Sequence, residues 1–138
     1  MPSMEDCIFC KIVKGEIPSY KVYEDDDFLA FLDIAPLNPG HTMVVSKKHF
    51  RYVDDIPNFG KYFEFAKRVG EGIKKATGHE HLYYLTLGNL VEHAHIWVVP
   101  HFKGDPHGSS VNWQARGKLN DKEGKKMSER IRKNMSIK

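Results

Sequence analysis

Between Gly88 and His101 the chain reads Gly-Asn-Leu-Val-Glu-His-Ala-His-Ile-Trp-Val-Val-Pro-His, and from His93 onward it alternates. His93, His95 and Trp97 fall on one side of an extended segment and Ala94, Ile96 and Val98 on the other, because successive strand side chains point to opposite faces. The segment is therefore expected to be a strand that carries imidazoles above an apolar floor. A strand packed on a core holds such rings still, and an imidazole near neutral pH keeps a lone pair for phosphorus or for a metal. Two histidines on a half-buried strand can also be merely solvated or hydrogen-bonded, so the segment alone leaves both meanings open.

The remaining elements are arranged around that strand. Residues 82–87 read as a strand joined to it by a tight Gly88-Asn89 connection, which makes the two antiparallel neighbours. Upstream, residues 20–24 and 28–33 read as a hairpin turned by Asp25, Asp26 and Asp27, and residues 41–46 as a third strand. Before them, Gly15 and Pro18 close a short helical turn. Phe59, Tyr62, Phe63, Ala66, Val69, Ile73 and Ala76 recur at helical spacing until Gly78, giving the main helix. Gly70 and Gly72 inside it either weaken it, by about 1 kcal/mol each relative to alanine, or admit a close neighbour. Pro100 is expected to end the fifth strand. Residues 102–117 are rich in breakers and hold His107 and Trp113, and Asn120 caps a last helix with Met127, Ile131 and Met135 on its apolar side.

Composition narrows the class. The 138 residues, 41% hydrophobic and 28% charged, suit one compact domain over 1–138 with a proper core. The N-terminus has no signal-peptide pattern and no apolar run approaches the roughly 18 residues of a membrane span, so a cytoplasmic location without a membrane partner is expected. The net charge is only +3. Much of the basic excess follows Gly117, where Lys118, Lys122, Lys125, Lys126, Arg130, Arg132 and Lys133 alternate with Asp121, Glu123 and Glu129. That is the pattern of a solvated helix face, and no specific nucleic-acid binding is expected from it.

Both cysteines lie together in Cys7-Ile8-Phe9-Cys10. Such a pair is a redox couple, half of a zinc site or two inert thiols. A redox pair would follow a strand and open a helix, and only six residues precede Cys7, so zinc is the stronger expectation. Two more ligands would come from histidines elsewhere. His49, taken alone, is a surface histidine. Asp33 stands at a strand end before Ala35-Pro36-Leu37-Asn38-Pro39-Gly40, where a carboxylate either caps the turn or accepts hydrogen bonds from a ribose diol.

In order along the chain, Cys-Ile-Phe-Cys-Lys-Ile, Ile-Pro-Ser, Val-Tyr-Glu-Asp, Ala-Phe-Leu-Asp-Ile, Pro-Gly-His-Thr, Lys-Lys-His and His-Ala-His together resemble the histidine triad family, in its small zinc-containing nucleotide-binding branch. The resemblance covers about residues 5–101, leaving 102–138 as a C-terminal extension and helix. It implies an α+β fold with a five-stranded antiparallel sheet, one main helix and a homodimer. It implies hydrolysis or transfer at the α-phosphate of a nucleoside 5′-phosphate derivative, such as a phosphoramidate, an adenylate or a dinucleoside polyphosphate, with a purine nucleotide or its conjugate as the partner. His95 would be the nucleophile, forming a nucleotidyl-imidazole, with its other ring nitrogen held by a backbone carbonyl. Asp33 would grip the ribose, and Ile8, Phe9, Ile12 and Ile34 would wall the base. Zinc would be structural, held by Cys7, Cys10, His49 and His93.

The chain departs from the family pattern where a third histidine is expected. Trp97 stands there, and an indole N–H donates one hydrogen bond but carries no proton to a leaving group. The family's Gly-Gln-Ser-Val is Gly88-Asn89-Leu90-Val91, which removes a hydroxyl facing the phosphate and leaves Gly88, Asn89 and Trp97 as the phosphate contacts. His101 replaces an arginine. Loss of general acid catalysis typically costs about 10²- to 10⁴-fold, so a nucleotide binder with decayed catalysis and a zinc-braced interaction scaffold stand beside the enzyme.

Overall fold

The computed structural model describes residues 6–89 and 91–136, so Leu90 lies outside the described residues. Five strands, β1 (Lys21–Glu24), β2 (Phe28–Leu32), β3 (Thr42–Ser46), β4 (His81–Leu85) and β5 (His95–His101), form one antiparallel sheet in the order β1-β2-β3-β5-β4. Among the described residues three α-helices accompany it, α1 (Ile8–Val13), α2 (Phe59–Thr77) and α3 (Asp121–Lys133), with a 3-10 turn at Val53–Asp55. The fold is α+β, as the sequence reading requires. At the β1–β2 turn Asp25 accepts hydrogen bonds from the backbone N–H groups of Asp27 and Phe28, both at 2.8 Å, which closes the hairpin locally.

The alternation of β5 sorts its side chains between two cores. Ala94, Ile96 and Val98 pack with Val22, Ala30, Val44 and the inner faces of α2 and α3, whereas Trp97 and Val99 pack on the other side with Cys7, Phe9, Cys10, Phe31 and Val45. Both faces of the strand are covered, and His93 and His95 are buried, not half-buried. The inward stripe of α2 is Tyr62, Phe65, Ala66, Val69 and Ile73, while Phe59 and Phe63, expected in the core, pack against each other at a tilt on the surface. The helical period holds, with Tyr62, Ala66, Val69 and Ile73 on the buried face as expected; the buried row adds Phe65 and leaves out Phe59 and Phe63. The two glycines of α2 are there for close approach: a Cβ on Gly72 would meet Met135 Cγ at 2.6 Å and the Ile131 carbonyl at 2.7 Å, and one on Gly70 would collide with Tyr84.

Three expectations about the central segment are corrected. β4 and β5 are antiparallel neighbours, but β4 ends at Leu85 and β5 begins only at His95, too far apart in the chain for a two-residue turn. Gly88 does not adopt a positive φ; it is small because Tyr52 packs on it, with a Cβ there only 2.7 Å from that ring. His93 precedes the strand, because β3 pairs only as far as Val45 opposite His95 and then turns away, so that Ala94 N–H bonds the Phe50 carbonyl at 2.6 Å instead. Pro100 lies inside β5, since β3 no longer pairs beyond Val98 and the missing N–H has no ladder bond to break there. The short helix, too, begins earlier than expected, at Ile8, so that it contains Cys10.

Candidate functional site

Cys7 caps α1, its Sγ accepting the Cys10 N–H at 3.3 Å, and one helical turn brings the Cys10 thiol beside it. His49 leaves the end of β3 and His93 enters β5, and because those two strands pair, their ends meet over α1. An Arg51–Glu92 ion pair ties the same two segments together. His93 Nε2–H donates to the Ser46 carbonyl at 2.6 Å, which leaves the lone pair on Nδ1, 3.2 Å from Cys7 Sγ and 3.4 Å from Cys10 Sγ. His49 Nδ1 is 3.2 Å from Cys10 Sγ, and the four ligand atoms lie within 4.8 Å of one another. Tetrahedral bonds of about 2.3 Å to sulfur and 2.0 Å to nitrogen separate such donors by roughly 3.5 Å, so the residues fit a metal ion. Burial, reinforced by the Cys7 thiol, pushes the Cys10 thiol up to about 12, and burial lowers His93 to about 4. A neutral imidazole is what a metal takes, and a thiolate there needs a cation beside it.

His95 lies next to this cluster and is tied to it through one carbonyl. Its Nδ1–H donates to the backbone oxygen of His93 at 2.8 Å, so the lone pair is on Nε2. Burial lowers the pKa of the ring, which keeps that lone pair available at neutral pH. Phe9 sets its ring edge-on against both imidazoles, at 5.6 Å from His95 and 5.8 Å from His93. The helix that supplies the two thiols thus also walls the second histidine.

Asp33 follows β2 and makes two kinds of contact. One carboxylate oxygen accepts the Ala35 N–H at 2.8 Å, the turn-capping role, and the other accepts from Arg116 Nη2 at 3.0 Å. Arg116 Nε also donates to the Ala35 carbonyl at 2.6 Å, and its guanidinium lies 5.2 Å over the Trp97 ring. Trp97 is buried, with Trp113 at 5.6 Å and His41 at 5.0 Å, and its indole N–H has no hydrogen-bond partner among the described residues. His41 accepts the Leu37 N–H on Nδ1 at 3.1 Å, so its proton is on Nε2, 3.7 Å from Asp33. Burial holds His41 at about 4, with Asp33 pulling upward and Arg116 downward. His41 stood in the Pro-Gly-His-Thr motif without a role, and nothing in the sequence marked Arg116.

The other proposed contacts are more dispersed. Ile8 and Ile34 are 48% and 68% exposed, an unusual state for isoleucine that leaves apolar surface uncovered, whereas Phe9 is buried. Ile12 and Ile34 line adjoining hollows of about 370 and 620 Å³ that share Pro18, Ser19 and Lys21. The larger one lies against α3 and not over His95. Asn89 is exposed, and Gly88 is partly covered by Tyr52.

A five-stranded antiparallel sheet with a buried, carbonyl-anchored imidazole on its central region and a paired-cysteine, paired-histidine cluster beside it defines an α+β protein of the histidine triad class. The HIT domain family model matches residues 14–104, most of the chain, and the protein belongs to that family. A HIT-like protein of Methanocaldococcus jannaschii is 42% identical over 106 residues, 72% of this chain and 81% of that one. An adenosine 5′-monophosphoramidase of Saccharomyces cerevisiae is 35% identical over 136 residues, 92% of this chain and 82% of that one. The crystal structure of a Zn-bound histidine triad family protein from Mycobacterium smegmatis matches with a TM-score of 0.79 at 26% identity, over 96% of this chain and 94% of that one.

Proposed function

We propose that this protein cleaves nucleoside 5′-phosphate derivatives at the α-phosphate, with His95 as the nucleophile. The observation that carries the reading is the His95 ring, buried on a central strand with Nδ1–H anchored at 2.8 Å to the His93 carbonyl, in a chain whose relatives include a protein named for adenosine monophosphoramidase activity. The anchored tautomer aims an unprotonated Nε2 away from the backbone, which is what in-line attack on phosphorus needs. Attack forms a P–N bond and breaks the bond to the leaving group; water then takes the phosphoryl group off the imidazole.

The remaining residues serve that step by position. Asp33 retains an open acceptor site on each oxygen for the ribose diol. Ile8, Phe9, Ile12 and Ile34 offer the apolar wall for a purine, and backbone N–H groups at Gly88 and Asn89 together with the indole N–H of Trp97, which has no partner among the described residues, serve the phosphate. Cys7, Cys10, His49 and His93 would hold zinc, which as a closed four-ligand site supplies rigidity and no open position for water. β4 forms one edge of the sheet and presents Tyr84 at 45% exposure, which favours pairing of two copies. A second reading, nucleotide binding without turnover, is favoured by one observation: Trp97 in place of a titratable group.

Rapid quenching after mixing with an activated adenosine 5′-phosphate donor, followed by mass analysis under alkaline conditions, is expected to find one nucleotide on His95. His95→Ala is expected to lose that adduct and to lower turnover by on the order of 10³-fold or more. Binding with neither adduct nor turnover would establish the second reading instead.

A further inference from the structure

Among the described residues, those in ring or charge contact with Trp97 include no group placed to hand a proton to a leaving group. The indole N–H is not an acid, a guanidinium does not lose its proton, and His41 is neutral with its remaining N–H buried. What the surroundings do contain is a fixed positive charge. Arg116, arriving from the irregular chain after β5, is pinned by Asp33 and by the Ala35 carbonyl and laid across Trp97, the residue two beyond His95 on the same face of β5. Its Nη1 group has no partner among the described residues. The strap that brings it is itself held along the Asp33 loop, with Gly117 N–H on the Pro36 carbonyl at 2.7 Å and Leu119 N–H on the Ile34 carbonyl at 3.1 Å.

We propose that Trp97 and Arg116 together confine this site to nucleotide conjugates whose leaving group departs as an anion, namely acyl, sulfuryl or phosphoryl anhydrides of a nucleoside 5′-phosphate, and that Arg116 is the residue determining that specificity. The inference rests on His95 acting as the nucleophile. In the first step the Nε2 lone pair forms the P–N bond, the P–O bond of the anhydride breaks, and its electron pair leaves on a carboxylate, sulfate or phosphate oxygen. No proton is needed, and the guanidinium stabilises the charge as it forms. In the second step water adds to phosphorus, the P–N electrons return to Nε2, and the proton of the water passes to solvent, giving the nucleoside monophosphate. An amine, by contrast, departs only after its nitrogen is protonated, and the residue that would do this is an indole.

The test compares two donors with the same adenosine 5′-phosphate group, an acyl adenylate and an unsubstituted phosphoramidate, on the full-length protein. The anhydride is expected to exceed the phosphoramidate in kcat/KM by at least about 10²-fold. Arg116→Gln is expected to lower the anhydride rate by about 10²-fold, a fall that Arg116→Lys partly restores, while the phosphoramidate rate moves only a few-fold. Trp97→His, provided it folds, is expected to raise the phosphoramidate rate and give it a new pH limb. Equal kcat/KM for the two donors in the wild-type protein, or an Arg116→Gln variant that loses both rates alike, overturns the proposal while leaving His95 in place as nucleophile. Absence of any adduct on His95 with either donor overturns the nucleophile assignment and this proposal with it.

Discussion

The two faces of the sheet are held by different physics. Against α2 and α3 the contacts are apolar and periodic: Tyr62, Phe65, Val69, Ile73 and Ile131 meet Val22, Val44, Ile96 and Val98, and the Tyr62 hydroxyl donates its one bond to the Val44 carbonyl at 2.7 Å. On the opposite face the covering chain is a short helix and an irregular strap, and directional bonds among buried polar groups fasten it in addition to a second apolar cluster around Phe9, Phe31 and Trp97. His93 is fixed on Ser46 and His95 on His93. His107 donates to the Leu37 carbonyl at 3.0 Å and accepts from Asn112 N–H at 3.0 Å. Asp105 gathers hydrogen bonds from Asn38, His101 and the backbone of Phe102 and His107. Apolar area is forgiving and non-directional, so it suits the scaffold face. Chemistry needs groups held in orientation, and the polar face supplies that at the risk that each lost partner strands another buried group.

The sharpest way to break this contrast is to remove one residue of the candidate metal cluster. Cys10→Ala is expected to abolish stoichiometric zinc, measured by elemental analysis, and to lower the melting temperature; retained metal would refute the four-ligand assignment. The matching cut on the other face is Phe65→Ala, which should cost about 3 to 5 kcal/mol in denaturant unfolding through transfer and cavity terms. Zinc content should stay unchanged in the fraction that remains folded. If both substitutions released metal equally, the two faces would be one cooperative unit and the division drawn above would fail.

A smaller effect sharpens the comparison within the polar face. Burial pushes the Asp105 carboxyl up, but the N–H groups of Phe102 and His107 and the side chains of Asn38 and His101 outweigh it and hold the pKa at about 2, below its ordinary 3.8. A carboxylate depressed on folding contributes stability that is fully present above about pH 4 and is lost as pH falls toward 2. The amount is on the order of 2 kcal/mol. Asp105→Asn should remove this dependence across that window, seen as a flatter curve of stability against pH.

Much of the scaffold could be read from the chain because local periodicity reports local structure. The alternation of residues 94–98, the recurrence from Tyr62 to Ile73 and the Asn120 cap each state an element, and the Asn120 side chain does accept the Glu123 N–H at 2.8 Å. The burial of Phe65 in place of Phe59 and Phe63 and the exact start of β5 were not readable, since they depend on which neighbour happens to lie opposite. The four residues of the cluster were named by resemblance; their convergence depends on the pairing of β3 with β5, a contact across more than a third of the chain.

The sequence by itself determined the alternating strand, the helical stripes, the cysteine spacing and membership of the histidine triad pattern, because each is carried by residues a few positions apart. Only the tertiary structure placed His93 outside the strand with its ring on Ser46, made Gly88 a contact for Tyr52, and laid Arg116 across Trp97 onto Asp33. Those are meetings between residues about twenty to more than eighty positions apart. No local propensity encodes them, since they arise when the strands register and the strap closes over the sheet.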